Sequence, residues 1–150
     1  MMYITADLLR WEAAEINRWL TCFSGNKLYP QAGLGEHGGT LWVVDFPLPD
    51  KYAPEDRLDL LFDIHEYPDN SPRGIFLKES STNQTLLSHL QSKFNVFAGG
   101  VSFHNAPKPP PGWLWVCYGH LDGWRYNIQH PNRGDNMLKL LQSFWRVLEE

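Results

Sequence analysis

The sequence predicts an α+β domain in which helices lie on an antiparallel strand meander, and three observations carry that expectation. Near the start, Leu9, Ala13, Ile16, Leu20 and Phe23 recur at spacings of four and three, which gathers them on one face of a helix. Between residues 40 and 79 the pattern changes to alternation among β-branched and aromatic residues, cut by prolines, as strands require. At the end, Met137, Leu141, Phe144 and Leu148 restore the helical period. The chain has 150 residues, 43% of them hydrophobic, with seven Trp, so it can bury one sizeable core, and residues 1–150 read as a single domain.

Taken in order, residues 5–23 form the first helix. Thr5 suits its N-cap, Asp7 suits the positive end of its dipole, and Ser24-Gly25-Asn26 stops it. Glycines and Pro30 punctuate residues 26–39, so any strand around Lys27–Tyr29 must be short. TLWVVDF (40–46) is a strand, with Trp42, Val44 and Phe46 alternating against Leu41, Val43 and Asp45. RLDLLFDIHE (57–66) is a second, with Leu58, Leu60, Phe62 and Ile64 on one side. YPDNSP is a proline-pinned connection, in which Tyr67, Pro68 and Pro72 fix the turn into a third strand, RGIFLKE (73–79). A short helix is expected over 84–97, capped by Thr82 or Asn83. VSFHN then runs extended, PKPPPG (107–112) is a stiff polyproline-like loop, and WLWVC (113–117) is a very short strand. The last helix covers 135–149 with Asp135 as its cap.

Charge and composition exclude several classes of function. The net charge is −4 and the basic residues are scattered, which argues against a nucleic-acid partner whose phosphates must be neutralised. No apolar run approaches the roughly 20 residues that span a bilayer, and the first residues carry acids rather than a signal-peptide core, so a cytoplasmic, non-membrane protein is expected. The glycine clusters lack the GK[ST] of a phosphate loop, so no nucleotide or other cofactor is expected. Cys22 and Cys117, far apart in sequence, fit neither a disulfide framework nor a metal knuckle, and each should be a free thiol.

Those thiols differ in setting. Cys22 falls near the end of the first helix and reads as a packing residue. Cys117 ends an aromatic strand and opens a Gly-containing loop, where a side chain can emerge at a surface; a small buried hydrophobe is the plain alternative. His104 and Asn105 precede the proline loop and His120 follows the cysteine, residue types that a thiol enzyme uses as base and orienting group. A zinc site from His104, Cys117 and His120 would lack a fourth ligand, and no metal is expected.

The order of these features resembles the core of ubiquitin-conjugating enzymes, over nearly the whole chain. An N-terminal helix and a strand meander lead into Tyr67-Pro68 and Pro72, spaced Y-P-x-x-x-P. His104-Asn105 follows, then Gly112, Cys117, Trp124 and a long helix. The family's His-Pro-Asn element reads here as His104-Asn105-Ala106, about 25 residues intervene between the third strand and His104 where the family has only a few, and the longer loop to Cys117 carries Pro107, Pro109, Pro110 and Pro111. Eukaryotic members add two further helices after the one matching 135–149. The pattern is similar to divergent bacterial members encoded beside anti-phage (CBASS) genes.

The resemblance implies a UBC-like fold and a chemistry. Cys117 would carry a protein C-terminus, as in conjugation of a CBASS nucleotidyltransferase, as a thioester and pass it to an acceptor amine such as a lysine. Asn105 would donate to the carbonyl oxygen as charge builds there, while His104 would hold the loop. Trp124 would anchor the active-site loop, with Trp113 and Trp115 flanking the cysteine strand. Its protein partners would be the donor and acceptor, and the donor would arrive already activated. Two other readings stay open: an inactive adaptor of the same fold, and a thiol hydrolase using Cys117 with His104 or His120.

Overall fold

A computed structural model describes residues 5–26, 31–34, 40–64, 67–72, 74–97, 110–118 and 124–150. It is an α+β structure: helix α1 (Ala6–Leu20), a six-stranded antiparallel sheet, a short helix α2 (Gln84–Gln91) and helix α3 (Met137–Glu149). The strands are β1 (Gln31–Leu34), β2 (Thr40–Pro47), β3 (Arg57–Asp63), β4 (Ile75–Lys78), β5 (Val96–Phe97) and β6 (Trp113–Val116), in the order β1-β2-β3-β4-β6-β5. Strands β1–β4 form a meander, in which β2, β3 and β4 match the three strands the alternation predicts, while β1 at Gln31–Leu34 lies beyond the stretch around Lys27–Tyr29 where a short strand is expected. The strand bearing Cys117 then joins the edge beside β4, and β5 adds outside it.

All three helices share one buried cluster with one face of the sheet. Leu9, Ile16 and Leu20 of α1, Leu86 and Leu90 of α2, and Leu140, Leu141, Phe144 and Leu148 of α3 meet Leu41, Val43, Leu58, Leu60, Phe62, Ile75, Leu77, Leu114 and Val116. The expected facing of Leu58, Leu60, Phe62 and Ile64 holds along β3 and just beyond it. On β2 the alternation breaks. Val43 pairs with Leu60 but Phe46 pairs with Leu58, so β2 spends one more residue than its partner. The extra length is absorbed at Asp45, whose φ is 54°, whose N–H donates to Asp59 Oδ1 at 3.0 Å and whose carboxylate lies 3.6 Å from the Arg57 guanidinium. The bulge turns Phe46 inward with Leu41 and Val43 rather than with Trp42 and Val44.

The opposite face carries a single apolar row. Gly33 pairs with Trp42, Trp42 with Leu61, Leu61 with Phe76, Phe76 with Trp115 and Trp115 with Phe97, so the row crosses all six strands. Glycines make room for its two large indoles. A Cβ at Gly33 would lie 2.2 Å from the Trp42 ring, and one at Gly74 would lie 2.3 Å from Trp115 Nε1.

Several boundaries differ from the sequence expectation. Helix α1 stops at Leu20 and continues as a 3-10 turn through Asn26, with Thr5 capping by accepting from Leu8 N at 3.1 Å. Helix α2 ends at Gln91, not 97, because the chain turns out of the helix after Gln91 and Val96–Phe97 pair as β5. Asn83, not Thr82, is its cap. The cap of α3 is Asn136, which accepts from Lys139 N at 2.9 Å. Asp135 instead ties back to Arg125, accepting its N–H at 2.7 Å and donating its own N–H to the Arg125 carbonyl at 2.8 Å. The strand expected around Lys27–Tyr29 and the VSFHN segment lie outside the described residues.

Candidate functional site

Cys117 follows the last residue of β6. A turn through Pro110 and Gly112, where φ of +83° suits glycine, starts that strand; Trp113 N donates to the Pro110 carbonyl at 3.1 Å. Leu114, Val116 and Tyr118 then point into the helix-covered core, which leaves Trp115 and Cys117 for the other face. The Cys117 N–H donates to the Asn95 carbonyl at 2.9 Å, so the β5–β6 pairing runs one position beyond Val96–Val116. Its side chain is half-buried and lines an open, polar depression of about 290 Å³ with Gln91, Ser92, Lys93, Phe94 and Asn95.

Burial pushes the Cys117 thiol above its ordinary pKa. The described lining brings no histidine or carboxylate to the sulfur; its one charged group, Lys93, is paired with Glu150, the C-cap of α3. The chain from Trp124 on is anchored. Trp124 Nε1 donates to the Pro68 carbonyl at 3.1 Å and its ring packs edge-on to Tyr67, 6.2 Å between centroids. Trp115 stacks on Phe97 at 5.3 Å, and its buried Nε1 has no hydrogen-bond partner among the described residues.

A second polar cluster lies inside the core. Glu12 is 2% exposed. It accepts from the Tyr67 hydroxyl at 2.5 and 2.6 Å, from Met137 N at 3.0 Å and from the Tyr126 hydroxyl at 3.4 Å. Desolvation raises its pKa despite these donors, and burial with the nearby carboxylate raises those of Tyr67 and Tyr126. Glu12 therefore joins α1, the Tyr67-Pro68 connection, the segment after Cys117 and the start of α3.

Of the expected site residues, Cys117 stands at the sheet end described above, while His104, Asn105 and the alternative base His120 lie outside the described residues. Cys22 is exposed in the turn after α1 rather than packed. Two residues escaped the sequence reading. Asn95 was hidden inside an apolar spacing that looked helical; the signal for it was the β-forming Val96-Phe97 beside it. Glu12 could have been found as an acid on the apolar stripe between Leu9 and Ile16. Among the described residues no group of three or more His, Cys, Asp or Glu is placed to hold a metal ion, and no helix is long and apolar enough to cross a membrane. Compared with known proteins, the chain matches no family model, no curated protein and no solved structure.

Proposed function

We propose that this chain is a ubiquitin-conjugating-like acyl carrier that holds a protein C-terminus as a thioester on Cys117 and passes it to an amine. The observation that carries the reading is the placement of Cys117: a half-buried thiol just past β6, next to the sheet edge, opening on a polar depression rather than on the core. Sulfur suits the task because it attacks an activated carbonyl readily and leaves it readily. The tie from Trp124 to Pro68 supports the reading too, since it joins the chain after the cysteine to the Tyr-Pro connection that the resemblance rests on. In the anti-phage setting of that resemblance, the donor is a CBASS nucleotidyltransferase C-terminus that arrives already activated, and the acceptors are protein lysines in the cytoplasm.

Co-expression with the neighbouring genes and mass spectrometry of the denatured protein test this. Wild-type protein should carry an adduct on Cys117 that free thiols or hydroxylamine displace, and Cys117→Ser should hold the same mass as a more stable oxygen ester while losing transfer. Full transfer by Cys117→Ser, with loss in Cys22→Ser, overturns the assignment. A non-catalytic adaptor is the second reading, favoured by the raised thiol pKa and by a described lining without a base. Unmodified protein alone, under conditions where its neighbours are modified without it, selects the adaptor.

A further inference from the structure

A sheet is open to further pairing only at its edge strands, where every second residue turns its N–H and C=O away from the ladder. One edge here is β5, whose two residues offer little to a partner strand. The other is β1, Gln31–Leu34, paired on one side with β2. Its outward groups are taken by side chains. Ala32 N donates to Asn17 Oδ1 at 2.6 Å, and Asn17 Nδ2 donates to the Ala32 carbonyl at 3.0 Å. One amide on α1 thus makes both bonds that a neighbouring strand would make. Those bonds turn Ala32 away from β2, and the residue two along, Leu34, then turns away as well. The Leu34 carbonyl accepts from Trp42 Nε1 at 3.3 Å. The indole reaches it on the face that the helices leave uncovered, across Gly33, where a Cβ would lie 2.2 Å from the ring. Asn17 from the helix side and Trp42 from the other close the same edge.

We propose that Asn17 and Trp42 lock the β1 edge against strand addition, and that the partner they exclude is the β1 strand of a second copy of this chain. A second copy is the occupant because β1 paired antiparallel with itself about a two-fold axis uses one edge twice and needs no other sequence. Such a pairing would join two six-stranded sheets into one. The lock works by occupancy. An incoming strand gains its bonds to Ala32 and Leu34 only after the amide and the indole have given theirs up, so the exchange returns little. The lock is a property of the scaffold and does not depend on the chemistry of Cys117.

The experiment measures the mass of the full-length chain by sedimentation across a concentration series, with circular dichroism to check the fold. Reducing buffer keeps Cys22 from bridging two copies. Wild-type protein and Trp42→Phe, which frees the Leu34 carbonyl alone, should stay at monomer mass. Asn17→Ala combined with Trp42→Phe should remain folded and shift toward dimer mass as concentration rises. Adding Ala32→Pro should return it to monomer mass, because proline removes the outward N–H without touching a bond to β2. If Asn17→Ala does not keep the fold, Asn17→Ser replaces it, since a hydroxyl too short to reach Ala32 can hold water there. Loss of the fold in both makes Asn17 a support of the structure and overturns the lock. So does a folded double variant that stays at monomer mass throughout, or association that Ala32→Pro leaves unchanged. Wild-type protein that dimerises and is returned to monomer mass by Ala32→Pro overturns it too, because its edge would already be open.

Discussion

At the scale of single residues, Glu12 is the side chain whose loss should be felt most widely. A carboxyl at 2% exposure satisfies the Tyr67 and Tyr126 hydroxyls and the Met137 N–H at once. Glu12→Ala removes the common acceptor and strands those donors, so we expect a loss of about 2–4 kcal/mol of stability in urea unfolding. Glu12→Gln keeps an oxygen for Met137 N and lets the hydroxyls turn to accept from the amide, so it should cost far less. The two also separate in pH. Desolvation raises the folded pKa of Glu12 above its unfolded value, so its favourable contribution is complete below the unfolded pKa of about 4.3 and is lost as pH rises through the folded pKa. Wild-type protein should therefore lose stability relative to Glu12→Gln as the pH is raised from about 4.5 to 8. A constant difference across that range would mean that Glu12 is no harder to ionise in the fold than out of it.

At the scale of elements, apolar periodicity made α1, β2, β3 and α3 legible, since each has a face that must be buried. It failed where geometry rather than burial decides. The bulge at Asp45 has no period-two signature, so the inward set of β2 changes parity within the strand. Asp135 and Asn136 are both acceptable N-caps by type, and only the return bonds between Asp135 and Arg125 decide which one serves. The stretch from Leu86 to Phe97 mixes two elements, because Leu86 and Leu90 pack as a helix while Val96 and Phe97 pair as a strand. The β4–β6 seam yields a sharp test. Gly74→Ala sets a Cβ 2.3 Å from Trp115 Nε1 and 2.4 Å from the Val116 carbonyl, and that second clash is with backbone which cannot step aside. We expect a cost of about 1–3 kcal/mol in thermal or urea unfolding, with the seam next to Cys117 disturbed. A neutral Gly74→Ala would show that β4 and β6 have slack there.

The molecule as a whole is asymmetric across its sheet. Helices α1, α2 and α3 cover one face, and the other carries the Gly33-to-Phe97 row with Cys117 two residues along the chain from its Trp115. The sequence hinted at the thiol's position through the aromatic strand and the loop that follows, but not at its neighbours, because a pairing between residues 95 and 117 leaves no local pattern. That asymmetry sets how the two thiols should react. Cys22 is exposed in the turn after α1, whereas Cys117 is half-buried and burial holds its pKa up, so less of it is thiolate near neutrality. Iodoacetamide should therefore alkylate Cys22 first in the native protein. In a Cys22→Ser background, Cys117 should react slowly, and its rate should still be climbing at a pH where the same residue in urea has levelled off. A higher-pKa thiol is also a poorer leaving group, which lengthens the life of any acyl group it carries. Equal alkylation rates for Cys117 in native and unfolded protein would remove this protection and with it the physical case for a thiol that stays quiet until loaded.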